Sequence, residues 1–141
     1  MLFPKKVKHR KWQVGRENPK KVKVATRGVD VSFGSYGLKA TSAYRMTSNQ
    51  IESARKVISK TLGKTGRMWI RVFPDRPVTQ KAAEVPMGKG KGEPKGFCVE
   101  IKPGRILFEV DGVTEEVAKL ALIKAGKKLP VTIRVVSREN N

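Results

Sequence analysis

At 141 residues the chain has room for one domain, and 31 Lys and Arg against 12 Asp and Glu leave it a formal charge of +19. A single cysteine, Cys98, excludes an internal disulfide framework and a CxxC metal knuckle, and a single histidine, His9, set in a basic run, leaves little from which to build a catalytic triad or a His-rich metal site. No apolar run approaches the ~18 residues of a membrane span, and the basic start MLFPKKVKHRKW lacks the apolar stretch of a secretory signal, so the chain reads as cytoplasmic, with an organelle interior as the lesser alternative, and as working without cofactor, metal or membrane.

Residues 1–27 carry ten basic side chains against one acidic, with too few apolar residues to form a core. Lys5, Lys6, Lys8, Arg10, Lys11, Arg16, Lys20, Lys21, Lys23 and Arg27 are interleaved with Phe3, His9 and Trp12. Cations neutralise phosphates and release their counterions, while aromatic and guanidinium planes stack on unpaired bases. The segment is therefore predicted to be an extended nucleic-acid-binding arm, mobile when free, with His9 and Trp12 among its contacts.

The pattern from Val29 to Met46 is strand-like around Gly34 and Gly37. A helix follows. Thr47 and Gln50 have capping-box spacing, Ile51, Ala54, Ile58 and Leu62 form one apolar stripe, and Gly63 is its stop. Arg55, Lys56, Lys60 and Lys64 lie off that stripe and are candidate phosphate contacts. RMWIRVF (67–73) alternates as a strand, with Met68, Ile70 and Val72 on one side and Arg67, Trp69, Arg71 and Phe73 on the other, ended by Pro74 and Pro77. FCVEIK (97–102) and RILFEV (105–110) flank Pro103-Gly104 and read as an antiparallel hairpin. Thr114 caps a second helix with Glu115 and Glu116 in its first turn. Val117, Leu120, Ala121 and Ile123 are expected to face inward, with Leu122 at the edge, and the helix ends near Gly126. VTIRVV (131–136) is a last strand, and 137–141 a frayed tail. The sum is an α+β fold over 28–136: an antiparallel or mixed sheet with two helices on one face, Cys98 filling a core position.

Residues 74–96 read as one long glycine-rich loop containing Gly88-Lys89-Gly90-Lys91-Gly92. The Walker pattern fails, because Ile58 stands where Gly63-Lys64-Thr65 would need an earlier glycine, and the dinucleotide pattern fails at Glu93. Glycines admit backbone amides close to a phosphate and alternating lysines add charge without bulk, which suits RNA contact rather than nucleotide hydrolysis. No pair of acidic residues supplies the constellation of an RNA-modifying enzyme, and neither a helix-turn-helix nor a zinc finger points to a DNA binder.

MLFPKKVKHRKW, FGSYGLKA, QIESARKVI, MWIRVFPDRPVTQK, MGKGKG and KPGRILFEV occur in this order. Together they resemble the bacterial large-subunit ribosomal protein sixteen, a universal ribosomal family, over nearly the whole chain. The resemblance implies a non-enzymatic constituent of the large subunit, monomeric within the ribosome, beside neighbouring ribosomal proteins. It implies binding to 23S-type rRNA and contact with tRNA in the aminoacyl and peptidyl sites near the peptidyl transferase centre, with a role in late assembly. By position, Lys5 to Arg16 match the arm that threads between rRNA helices. Lys81, Met87, Gly88, Lys89, Gly90, Lys91 and Gly92 match the loop near tRNA. The family commonly has arginine before this glycine–lysine run. Pro86 stands there instead, so it is expected to stiffen the loop base while Lys89 and Lys91 keep the electrostatic role.

Overall fold

The computed structural model describes residues 2–6, 23–80 and 93–138. Its elements run β1 (Tyr36–Ala40), β2 (Tyr44–Thr47), α1 (Ser48–Leu62), β3 (Arg67–Ile70), β4 (Arg76–Gln80), β5 (Glu93–Ile101), β6 (Ile106–Asp111), α2 (Glu115–Gly126) and β7 (Ile133–Ser137). The class is α+β, as the sequence implies. The strands divide between two sheets, a four-stranded one in the order β3-β6-β1-β7 and a three-stranded one in the order β2-β5-β4. Every pairing is antiparallel.

Helix α1 starts and stops where its side chains dictate. Thr47 accepts the Gln50 N–H at 3.4 Å, and the Gln50 side chain accepts the Thr47 N–H at 2.9 Å, a closed capping box. Gly63, at φ +70°, ends the helix and donates its N–H to the Ser59 carbonyl at 3.2 Å. Ile51, Ala54, Ile58 and Leu62 are all buried, as their spacing requires. They join Leu38, Ala40, Met46, Ile101, Leu107, Phe108, Val110 and the buried face of α2 in the main core. A smaller cluster of Val31, Ile106 and Val136 packs under the irregular segment that precedes β1. A β-bulge between Leu38 and Lys39 shifts the β1–β6 register, and β6, an inner strand of its sheet, is buried along nearly its whole length.

Six expectations are corrected. The strand-like run from Val29 joins the sheet only at Ser35 and becomes β1 at Tyr36, because residues 32–34 spend their N–H groups on a side chain. The strand at 67–73 stops at Ile70. The chain then leaves β6 for the other sheet, although Val72 stays buried beside Met68 and Ile70. Pro103-Gly104 does form a turn, with the Arg105 N–H donated to the Lys102 carbonyl at 3.2 Å and Gly104 at φ +99°. The strands it joins nevertheless part: β5 pairs with β2 and β4, and β6 with β1 and β3, so there is no hairpin ladder. The loop expected at 74–96 contains β4 and the start of β5. Pro77 is tolerated because β4 is an edge strand, and Pro94 because β2 pairs β5 only from Cys98 onward.

The last two corrections concern α2 and the C-terminal stretch. Thr114 caps it as expected, accepting the Val117 N–H at 3.5 Å, but its buried face is Ala118, Ala121, Leu122, Ala125 and Gly126. Leu120 and Ile123 are 50% and 45% exposed. Closeness is the reason: a Cβ on Gly126 would stand 2.6 Å from Ile133 Cγ1, so only small residues fit against β7. Ser137 closes β7, and the Arg138 N–H donates to the Ser35 carbonyl at 2.9 Å, so the ordered chain extends two residues into the stretch expected to fray.

Candidate nucleic-acid interface

Both flanks of the basic arm are fixed to the body. Leu2 packs against the main core and donates its N–H to buried Ser48 Oγ at 3.1 Å. Ala25 donates to the Pro103 carbonyl at 2.9 Å, and the Gly28 carbonyl accepts from Ile106 at 2.7 Å. Arg105 links the two flanks. It lines one cleft with Leu2, and its guanidinium donates to the Arg27 carbonyl at 3.5 Å. Between these anchors Lys5, Lys6, Lys23 and Arg27 are exposed. Lys8, His9, Arg10, Lys11, Trp12, Arg16, Lys20 and Lys21 lie outside the described residues, as do Lys81 and Met87 to Gly92 of the glycine–lysine run. The strands β4 and β5 carry the two ends of that run's segment.

The basic residues of α1 separate into two kinds. Arg55 is held by Glu52 one turn earlier, through Nε at 3.0 Å to both carboxylate oxygens and NH2 at 2.5 Å to one. The bond to Arg55 lowers the Glu52 carboxyl from its ordinary range and raises the guanidinium in turn. Lys56, Lys60 and Lys64 are exposed and form no ion pair among the described residues. Arg55 is thus the weaker phosphate candidate, and the three lysines keep their full charge for a partner.

On the three-stranded sheet Glu100 lies between two arginines. It is paired with Arg76 from β4 and lies 3.8 Å from Arg45 of β2. On the other sheet the fully buried Glu109 of β6 accepts three consecutive backbone N–H groups, from Ser32, Phe33 and Gly34, at 2.9, 2.8 and 2.9 Å. Its second oxygen pairs with Arg71. Burial by itself would raise this carboxyl, but the Gly34 N–H, Arg71 and the Phe33 N–H outweigh it and hold the group below the usual glutamate range.

The clamp fixes an aromatic group above it. Phe33 stacks with Trp69 at 6.3 Å between ring centroids and 21° between planes, and the Arg71 guanidinium lies over the Phe33 ring at 4.9 Å. The sequence placed Trp69 and Arg71 on one side of the strand, opposite Met68, Ile70 and Val72, but gave them no part. The alternation of basic and aromatic residues in RMWIRVF was the available signal. Among the described residues no group of three or more His, Cys, Asp or Glu could hold a metal, and no helix is long and apolar enough to cross a membrane.

Residues 4–136 match the family described as Ribosomal protein L16p/L10e. The chain is 50% identical over 139 residues to the large ribosomal subunit protein uL16 of Methylibium petroleiphilum, an alignment covering 99% of this chain and 98% of that protein. It is 51% identical over 138 residues to the protein of the same name from Polaromonas naphthalenivorans, covering 98% of this chain and 97% of that one. With the match running from the base of the arm into β7, and half the positions shared with relatives of nearly the same extent, the chain belongs to the L16p/L10e family of ribosomal proteins.

Proposed function

We propose that the chain anchors itself in large-subunit rRNA through residues 5–27 and the free lysines of α1, and that it extends the segment between β4 and β5 toward tRNA in the aminoacyl and peptidyl sites. Membership of the family makes it a structural constituent of the large subunit of the cytoplasmic ribosome, with rRNA and ribosomal proteins as partners, and not an enzyme. The finer assignment rests on one observation above all. Four carboxylates of the folded body, Glu52, Glu100, Glu109 and Glu115, are paired with Arg45, Arg55, Arg71, Arg76 and Lys119, while Lys5, Lys6, Lys23, Arg27, Lys56, Lys60 and Lys64 form no ion pair among the described residues. A surplus left so exposed destabilises the compact state by self-repulsion until an anion neutralises it.

Supporting the second half, β4 and β5 give the segment carrying Lys89 and Lys91 a two-stranded base on the free edge of its sheet. Placement beside tRNA also fits a late role in assembly, since such a site is completed only when the surrounding rRNA has folded. The test has two arms. Binding to a 23S-type rRNA transcript should weaken with salt, log K falling by roughly 0.7–0.9 per phosphate contact for each unit of log salt. Large subunits reconstituted with Lys89→Gln/Lys91→Gln should sediment normally yet hold less tRNA. A salt-insensitive complex would overturn the anchoring role, and unchanged tRNA occupancy the role of the lysines.

A further inference from the structure

We propose that Phe33 is a stacking platform for a single unpaired RNA base. The inference deepens the rRNA-anchoring reading and rests on it. Phe33 is 56% exposed although the carboxylate that clamps its backbone is fully buried, a combination folding alone does not require. Glu109 holds the backbone on both sides of it by three N–H bonds. Gly34 is pressed so closely on β6 that a Cβ there would lie 2.5 Å from the Val110 carbonyl oxygen, which leaves the neighbouring ring on the outside. Trp69 and Arg71 then fix the ring's plane.

Such a ring loses little conformational freedom on binding, and a base's π-face can lie against what remains open. The surroundings favour a nucleotide over an apolar protein segment. Against Asp30, Asp111 and Glu109, the last paired with Arg71, stand Arg67, Arg71, Arg105 and Arg138, and the Arg138 guanidinium is itself bonded to the Ser32 carbonyl beside the ring. A base on Phe33 would bring its phosphates among these guanidinium groups, which suit phosphate oxygens better than ammonium groups do.

The experiment uses the full chain carrying Trp12→Phe, so that Trp69 alone reports. The protein is titrated at several salt concentrations with an eight-nucleotide oligoadenylate and, separately, with an RNA duplex. The single strand should quench Trp69 emission and the duplex should not. Phe33→Leu should lower affinity for the single strand about tenfold while leaving duplex affinity and the salt slope unchanged, and Phe33→Tyr should restore it. Equal urea midpoints for the variants would show that the fold is intact. If Phe33→Leu binds the single strand as tightly as the parent, the platform is overturned and the ring is left as a protein contact, while salt-dependent binding of both RNAs still stands for the anchor. If binding to both RNAs ignores salt but the Phe33 effect persists, the anchor fails and the platform stands.

Discussion

Glu109 is the acidic side chain on which the most structure converges, and its energetics follow from its partners. Replacing it by glutamine removes the charge that Arg71 faces and one acceptor oxygen of the clamp, leaving a partly buried guanidinium unmatched. Glu109→Gln should lower stability by about 2–4 kcal/mol, read as a shift in urea midpoint. The pH dependence has a definite sign. Because the folded carboxyl titrates below its ordinary value of 4.5, the unfolded chain takes up this proton first. The stabilisation is therefore complete above that value and is lost as pH falls through the lower, folded one. The parent should lose stability faster than Glu109→Gln on going from neutral to acid pH, and parallel losses would remove Glu109 from the account. Cys98 behaves oppositely. Burial pushes its thiol up, so the thiolate is scarce and shielded. Alkylation in native buffer should be slow and should become fast in denaturant.

At the level of elements, the helix termini test most directly. Thr47→Ala opens the capping box and should cost about 1 kcal/mol in thermal or urea unfolding. Gly126→Ala, favourable for an isolated helix, should instead destabilise by about 1–3 kcal/mol, because the new methyl meets Ile133. Combining it with Ile133→Ala should cost less than the two separate losses together. These two sites mark what the sequence carried openly and what it did not. Caps and stripes are local, so Thr47, Gln50, Ile51, Ala54 and Ile58 could be read directly. The inward face of α2 was set by its closeness to β7, which favoured alanines over the larger Leu120 and Ile123, and no local pattern records that distance. The Pro103-Gly104 turn was legible for the same local reason as the caps. That its two strands would enter different sheets depended on partners dozens of residues away. The charge of residues 1–27 is plain from composition. The Phe33 group is not, because Glu109 joins it from a distant strand.

For the molecule as a whole, charge distribution is the governing quantity. Neutralising Lys5 and Lys6 together, by Lys5→Gln/Lys6→Gln, should reduce the salt slope of rRNA binding by about 1.4 to 1.8 if both meet phosphates. The native fold should change little, since both side chains are exposed and pair with nothing among the described residues. An unchanged slope would move the anchor further along the chain. The fixing of Leu2 on Ser48 and of Ala25 on Pro103 adds a topological condition. Both mooring points belong to the described body, so a partner that meets this basic stretch meets a handle tied down at its two flanks rather than a loose thread.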